Sequence, residues 1–236
     1  MVRMREGGMS DISMNGETGS PRDQAACCEI CAAQSRTVFD LLVKSQDLLV
    51  HSEPEREAFA ARRGFCAFHM WLLKQIGDPL SLSRAFAPVV DAWADELMGH
   101  MAEPPGRAAA RIESALPHPG FCEACKVQLA TGADELRRVL APLTMTEGRQ
   151  RFSRGPGLCL RHLAVALHAG PAHEVAFFLL NDHVRRLQDV SKDLHNYTAK
   201  RDALRRDLLS EDEQNAWQRA LVLLAGARTV HDAERG

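Results

Sequence analysis

The stretch CEICAAQ, residues 28–34, returns as CEACKVQ, residues 122–128. Each copy is followed by a second short motif: Gly64-Phe65-Cys66-Ala67-Phe68-His69 and Gly157-Leu158-Cys159-Leu160-Arg161-His162. The first unit therefore reads C-x2-C-x34-C-x2-H and the second C-x2-C-x33-C-x2-H. Gly77 and Gly170 stand eight residues after the two histidines, each with a proline close behind, Pro79 and Pro171. Six of the seven cysteines fall on this repeat, with a period of 93 to 94 residues. Self-similarity at a fixed period marks an internal duplication, so whatever one unit folds into, the chain holds twice.

Three thiols and one imidazole form a complete donor set for a tetrahedral divalent metal. The candidate ligands are Cys28, Cys31, Cys66 and His69 in the first unit and Cys122, Cys125, Cys159 and His162 in the second. Ligands two residues apart suit one helical turn, where positions i and i+3 share a face. A pair that opens a helix also feels the positive end of the macrodipole, which favours thiolates. An odd cysteine count argues against a disulfide framework. Cys27 has no counterpart, because Phe121 occupies the equivalent place, so it is read as a bystander.

Two independent sites, each built within one unit, are expected. Pairing Cys28 and Cys31 with Cys159 and His162 would close a longer loop at an extra cost of only about 1 kcal/mol, which decides little. The expectation rests on duplication copying a unit already able to bind metal.

The pattern predicts an all-α fold, with no sustained period-two alternation anywhere. A first helix is expected over about 27–50, broken at His51-Ser52-Glu53-Pro54, and a short one over 55–63. A third opens at Cys66 and ends at Gly77, and a fourth spans 80–102, with Pro88 as a kink or a shifted start. Residues 103–120 read as a linker, and the second unit (121–209) repeats the plan. Its fourth helix is expected to be longer, over about 172–208, or about 55 Å. There Leu187, Val190, Leu194, Tyr197, Leu204 and Leu208 follow an a/d spacing. That seam suggests a helix spanning both units or a homodimer contact through 184–208. A last helix over 210–226 starts with a Ser210/Glu213 capping box and carries Trp217, Leu221 and Leu224 on one face. Residues 1–25 and 227–236 read as disordered tails, and the internal methionines of the first are alternative start positions.

Composition narrows the function classes. A formal charge of −2 gives no global basic signal for nucleic acid, and 45% hydrophobic residues suffice for a core. No apolar run is long enough to cross a membrane, and residues 1–25 lack the apolar core of a signal peptide, so a cytoplasmic protein is expected. Residues 184–208 hold seven Lys/Arg against four Asp, an excess that a solvated helix face explains as well as nucleic acid does. There is no phosphate-binding glycine loop, no G-x-S-x-G and no H-E-x-x-H. A redox C-x2-C would need a βαβ setting, and a Cys66/His69 or Cys159/His162 nucleophile pair lacks a third orienting group. His173, Glu174 and His183 read as surface residues, and Glu29 and Glu123 as first-turn acids that complement the helix dipole.

The combination of C-x2-C at a helix start, G-[FL]-C-x2-H about 35 residues on and a final W-x3-L-x2-L-x-G segment resembles a family of uncharacterised bacterial and archaeal proteins. The resemblance covers about residues 26–226. It implies metal binding at the eight ligand positions and no particular activity.

Two functions follow from these residues. The favoured one is a non-enzymatic scaffold or protein-interaction module with two Zn2+ per chain. The rival is an iron–sulfur protein carrying [4Fe-4S] clusters, in which histidine replaces one cysteine. A nucleic-acid adaptor comes third.

Overall fold

The computed structural model describes residues 28–118, 120–202 and 206–225, and among these the chain is all-α with no strand. The first unit comprises α1 (Glu29–His51), α2 (Glu53–Ala61), α3 (Ala67–Ile76) and α4 (Pro79–His100). A further helix, α5 (Pro105–Ala115), occupies the segment expected to be a linker. Its signal was present: Pro105 suits the first helical turn, and Ala108, Ala109, Ala110 and Arg111 are strong helix formers. The second unit holds α6 (Glu123–Leu140), a 3-10 turn (Ala141–Thr144), α7 (Thr146–Arg154), α8 (Leu160–His168) and α9 (His173–Asp202). A short 3-10 turn (Arg206–Leu208) leads to α10 (Glu211–Ala225). Cys27 and both tails lie outside the described residues.

Local chemistry explains the breaks. The Ser52 hydroxyl caps α2 through the Glu55 amide, with Pro54 in the first turn, and Asp78 caps α4 through the Leu80 and Ser81 amides. Ser210 and Glu213 bond reciprocally, 2.9 and 3.2 Å, completing the expected box at the start of α10. Pro88 lies inside α4 without ending it. The long helix is described as far as Asp202; residues 203–205, Leu204 of the expected a/d seam among them, lie outside the described residues, and Arg206–Leu208 form a 3-10 turn, not α-helix.

Two apolar cores lie beneath these helices, and each borrows from the other unit. The first gathers Val38, Leu42, Phe59, Phe65, Leu73 and Val89 from unit one, together with Cys122, Ala124 and Cys125 from the start of α6. The second gathers Leu136, Leu143, Leu158, Leu163 and Leu179 from unit two, together with Cys28, Ile30 and Cys31 from the start of α1. The first turns of α1 and α6 have thus changed places, and the two helices pack along each other. At their contact the Gln34 side chain donates to the Gln128 carbonyl, 3.1 Å, with both glutamines buried. These are the glutamines that close the two copies of the repeated motif. Equivalent residues meeting each other is what a two-fold relation between the units requires, and the sequence pattern alone did not reveal that role.

The C-terminal helix packs on α8 and α9 through Glu213, Ala216 and Leu223. Trp217, Leu221 and Leu224 share a face as expected, but it is the exposed one. Small Ala216 permits close approach, and buried Glu213 is paired with Lys200 at 2.6 Å. On α9, Val190 is buried, and Leu187, Leu194 and Tyr197 are half-buried.

Candidate metal centres

Every ligand pair occupies the same local frame. Cys28, Cys66, Cys122 and Cys159 are the N-cap residues of α1, α3, α6 and α8. Their partners Cys31, His69, Cys125 and His162 stand three residues on, one turn inside the same helix. None of the four N-caps accepts a side-chain cap hydrogen bond, so the sulfurs are left to a site rather than to the helix. Gly64 and Gly157 precede the second pairs with φ of 80° and 72°, a left-handed turn that favours glycine. A side chain at Gly157 would also meet the Arg186 guanidinium at 2.7 Å. The intervening Phe65 and Leu158 are buried and anchor the turn to its core.

The structure assembles these pairs across the units, not within them. One centre joins Cys28 and Cys31 to Cys159 and His162; the other joins Cys122 and Cys125 to Cys66 and His69. The expectation of a site inside each unit is thereby corrected, while the eight candidate residues do gather into two Cys3His groups that could each hold a metal ion. The physical reason lies in the exchanged first turns of α1 and α6, which carry each C-x2-C into the opposite core.

The two centres agree closely in shape. In the first, His162 Nδ1 lies 3.4, 3.3 and 3.4 Å from the sulfurs of Cys28, Cys31 and Cys159, and Cys31 Sγ lies 3.8 Å from Cys159 Sγ. In the second, His69 Nδ1 lies 3.3, 3.6 and 3.4 Å from Cys66, Cys122 and Cys125, with 3.7 Å between Cys66 and Cys125. All eight residues are buried, and the six cysteines are free thiols. His162 Nε2 is buried without a hydrogen-bond partner among the described residues, which leaves Nδ1 as the nitrogen turned to the site.

Without a cation, such a cluster is electrostatically divided. Hydrogen bonds from Cys28 and Cys31 pull Cys159 far below the usual thiol range, and Cys125 and Cys66 do the same for Cys122. A second thiol of each group is pushed up, Cys28 by its bonds to Cys159 and Cys31 and then by burial, and Cys125 by its bonds to Cys122 and Cys66 and then by burial. One thiolate suppresses the next in a dry pocket. Burial opposes a charge on His69, yet the Cys122 and Cys66 sulfurs outweigh it and raise the imidazole to about 9. A divalent cation would remove the conflict by accepting all three thiolates and the neutral imidazole. The donor set therefore fits a metal ion.

The surroundings correct one reading and add another. His183 is buried, not a surface residue; it is hydrogen-bonded to the Leu158 backbone beside Cys159. Burial, then the Arg186 charge, lowers its pKa. His173 and Glu174 are exposed as expected. Asp182, also buried, accepts from Ser153, Arg185 and Arg186 at 2.9, 2.6 and 2.6 Å. Arg186 in turn donates to the carbonyls of Phe152, Ser153 and Gly155, closing the end of α7. This brace supports the turn that leads to Cys159. Glu123 pairs with Arg62 at 3.3 Å, half exposed, so the contact adds little stability.

Comparison with protein-family models, with curated proteins and with solved structures finds no match. No helix among the described residues is long and apolar enough to cross a membrane.

Proposed function

We propose that the protein is a non-enzymatic interaction module whose helices are clamped by two structural Zn2+ ions. The observation that carries this reading is the pair of closed, buried tetrads, each drawing two ligands from each half of the chain. Zn–S bonds of about 2.3 Å and Zn–N bonds near 2.0 Å in a tetrahedron separate sulfurs by about 3.8 Å and sulfur from nitrogen by about 3.5 Å. The observed separations, 3.7 and 3.8 Å between sulfurs and 3.3 to 3.6 Å from sulfur to nitrogen, match a single ion with little adjustment. A [4Fe-4S] cluster would set its ligands on different irons and spread them further apart.

Four protein donors leave no open position for water or substrate, which favours structure over hydrolysis. The open groove along α4 and the one between α7 and α9 are both lined by residues other than the eight candidate ligands. The two ions would fasten α1 to α8 and α6 to α3, fixing the outward faces of the helices for a protein partner.

The test is elemental analysis and absorbance of protein purified without oxygen. Two zinc ions per chain in a colourless sample, with loss of helicity on chelation, support the proposal. A broad band near 400 nm with iron would overturn it in favour of the iron–sulfur reading.

A further inference from the structure

The helix α4 turns an apolar seam to solvent. Leu80, Ser83, Ala87, Val90, Ala94, Leu97 and Met101 follow one another at alternating intervals of three and four, the spacing of a coiled-coil contact line. All seven are exposed, Leu80 by 61%, Val90 by 62% and Met101 by 83%. An open apolar groove of about 630 Å³ runs beside it, lined in part by Ser83, Ala87, Val90 and Asp91.

The other half of the molecule indicates what such a face accepts. With the period of 93 residues that relates His69 to His162, Val90, Leu97 and Met101 correspond to His183, Val190 and Leu194 on α9. There Val190 is buried and Leu194 half-buried on the helix against which α10 packs, beside the Asp193–Arg219 ion pair between the two helices, whereas His183 is buried against the Leu158 turn instead. The first unit has no such covering helix among the described residues. A helix fits that layer, and the seam of α4 lacks one.

We infer that α4 pairs with the α4 of a second copy of this chain, antiparallel about a two-fold axis. The flanking charges select the register. Arg84 and Asp91 occupy the positions just after Ser83 and Val90 in the repeat, both exposed, and neither forms an ion pair within the described chain. Setting Leu80 opposite Leu97, Ser83 opposite Ala94 and Ala87 opposite Val90 of the partner places a leucine pair at each end of the contact and lets small residues bring the backbones close between them. The same register places Arg84 against Asp91 of the other copy, twice by symmetry. Shifting by one heptad would face Asp91 with its own copy. An isologous contact of this kind closes at two chains. The inference stands apart from the metal reading, since no seam residue touches either centre.

The experiment is sedimentation equilibrium or light scattering on the full metal-loaded chain. The parent is expected to be a dimer. Val90→Glu and Leu97→Glu, at exposed positions, should give monomers with unchanged helicity and metal content. Arg84→Asp and Asp91→Arg alone should each weaken association by roughly tenfold, since each converts two attractive pairs into repulsive ones. The double exchange Arg84→Asp with Asp91→Arg should restore the parent affinity. A parent that stays monomeric at about 100 μM overturns the inference, leaving the seam to residues 1–27 or to a foreign helix. A dimer indifferent to Leu97→Glu, or one in which the double exchange fails to rescue, overturns it equally.

Discussion

Replacing Cys28 and Cys66 together by Ser tests the exchange of ligands between the units. In the structure these cysteines belong to different centres, so the double variant damages both and should hold no metal after dialysis against a weak chelator. Were each centre built within one unit, both changes would strike the same site and one ion would remain. The complementary pair, Cys28→Ser with Cys159→Ser, reverses the outcome: one centre is lost and Cys66, His69, Cys122 and Cys125 keep their ion. Loop entropy does not decide between the arrangements. The observed links close 128 and 59 residues, and closing about 35 residues instead would save only about 1.6 kcal/mol in total. A structural zinc ion contributes several times that much. Even about 4 kcal/mol lost with one ion lowers the melting temperature of a chain this size by roughly 8–16 °C. Metal analysis and thermal melting of both double variants beside the parent give the answer. One ion retained in the Cys28/Cys66 variant and none in the Cys28/Cys159 variant would refute the exchanged assignment.

Three further outcomes are expected. Separately produced halves, residues 28–118 and 120–225, should co-elute in gel filtration when zinc is present and part on chelation, because each holds half of both centres. Gly148→Ala should cost about 1–3 kcal/mol in chemical denaturation, since its Cβ would lie 1.9 Å from the Pro142 carbonyl oxygen; Gly99→Ala, with open space around it, should gain about 0.5–1 kcal/mol. Burial alone would raise the Asp182 pKa, but its bonds from Arg186, Arg185 and Ser153 hold it below the usual carboxylate value. A depressed folded pKa contributes stability above the unfolded value, near 4, and loses it as pH falls through the folded one. Asp182→Asn should therefore lower the melting temperature at pH 7, and the gap should narrow as the pH is taken below about 4.

The sequence by itself determined the all-α class, most helix boundaries and the eight residues that gather into the two candidate metal centres. These are local properties. The spacing of Cys28 and Cys31 on one turn, the caps at Ser52 and Asp78 and the reciprocal Ser210/Glu213 box are set within a few residues of chain. The helix α5 was equally local and was hidden only by the prolines around it. Which C-x2-C meets which C-x2-H was not local. The two pairings use identical ligand types at nearly identical spacing, and their loop entropies differ by less than one metal ion contributes. Packing decided it: Ile30 fills the core beside Leu158 and Leu163, and Ala124 fills the one beside Phe65 and Leu73. Gln34 meets Gln128 where the helices touch. Once α1 and α6 lie against each other in that way, the first turn of each can reach only the other unit's Cys-His pair, and the metal centres follow.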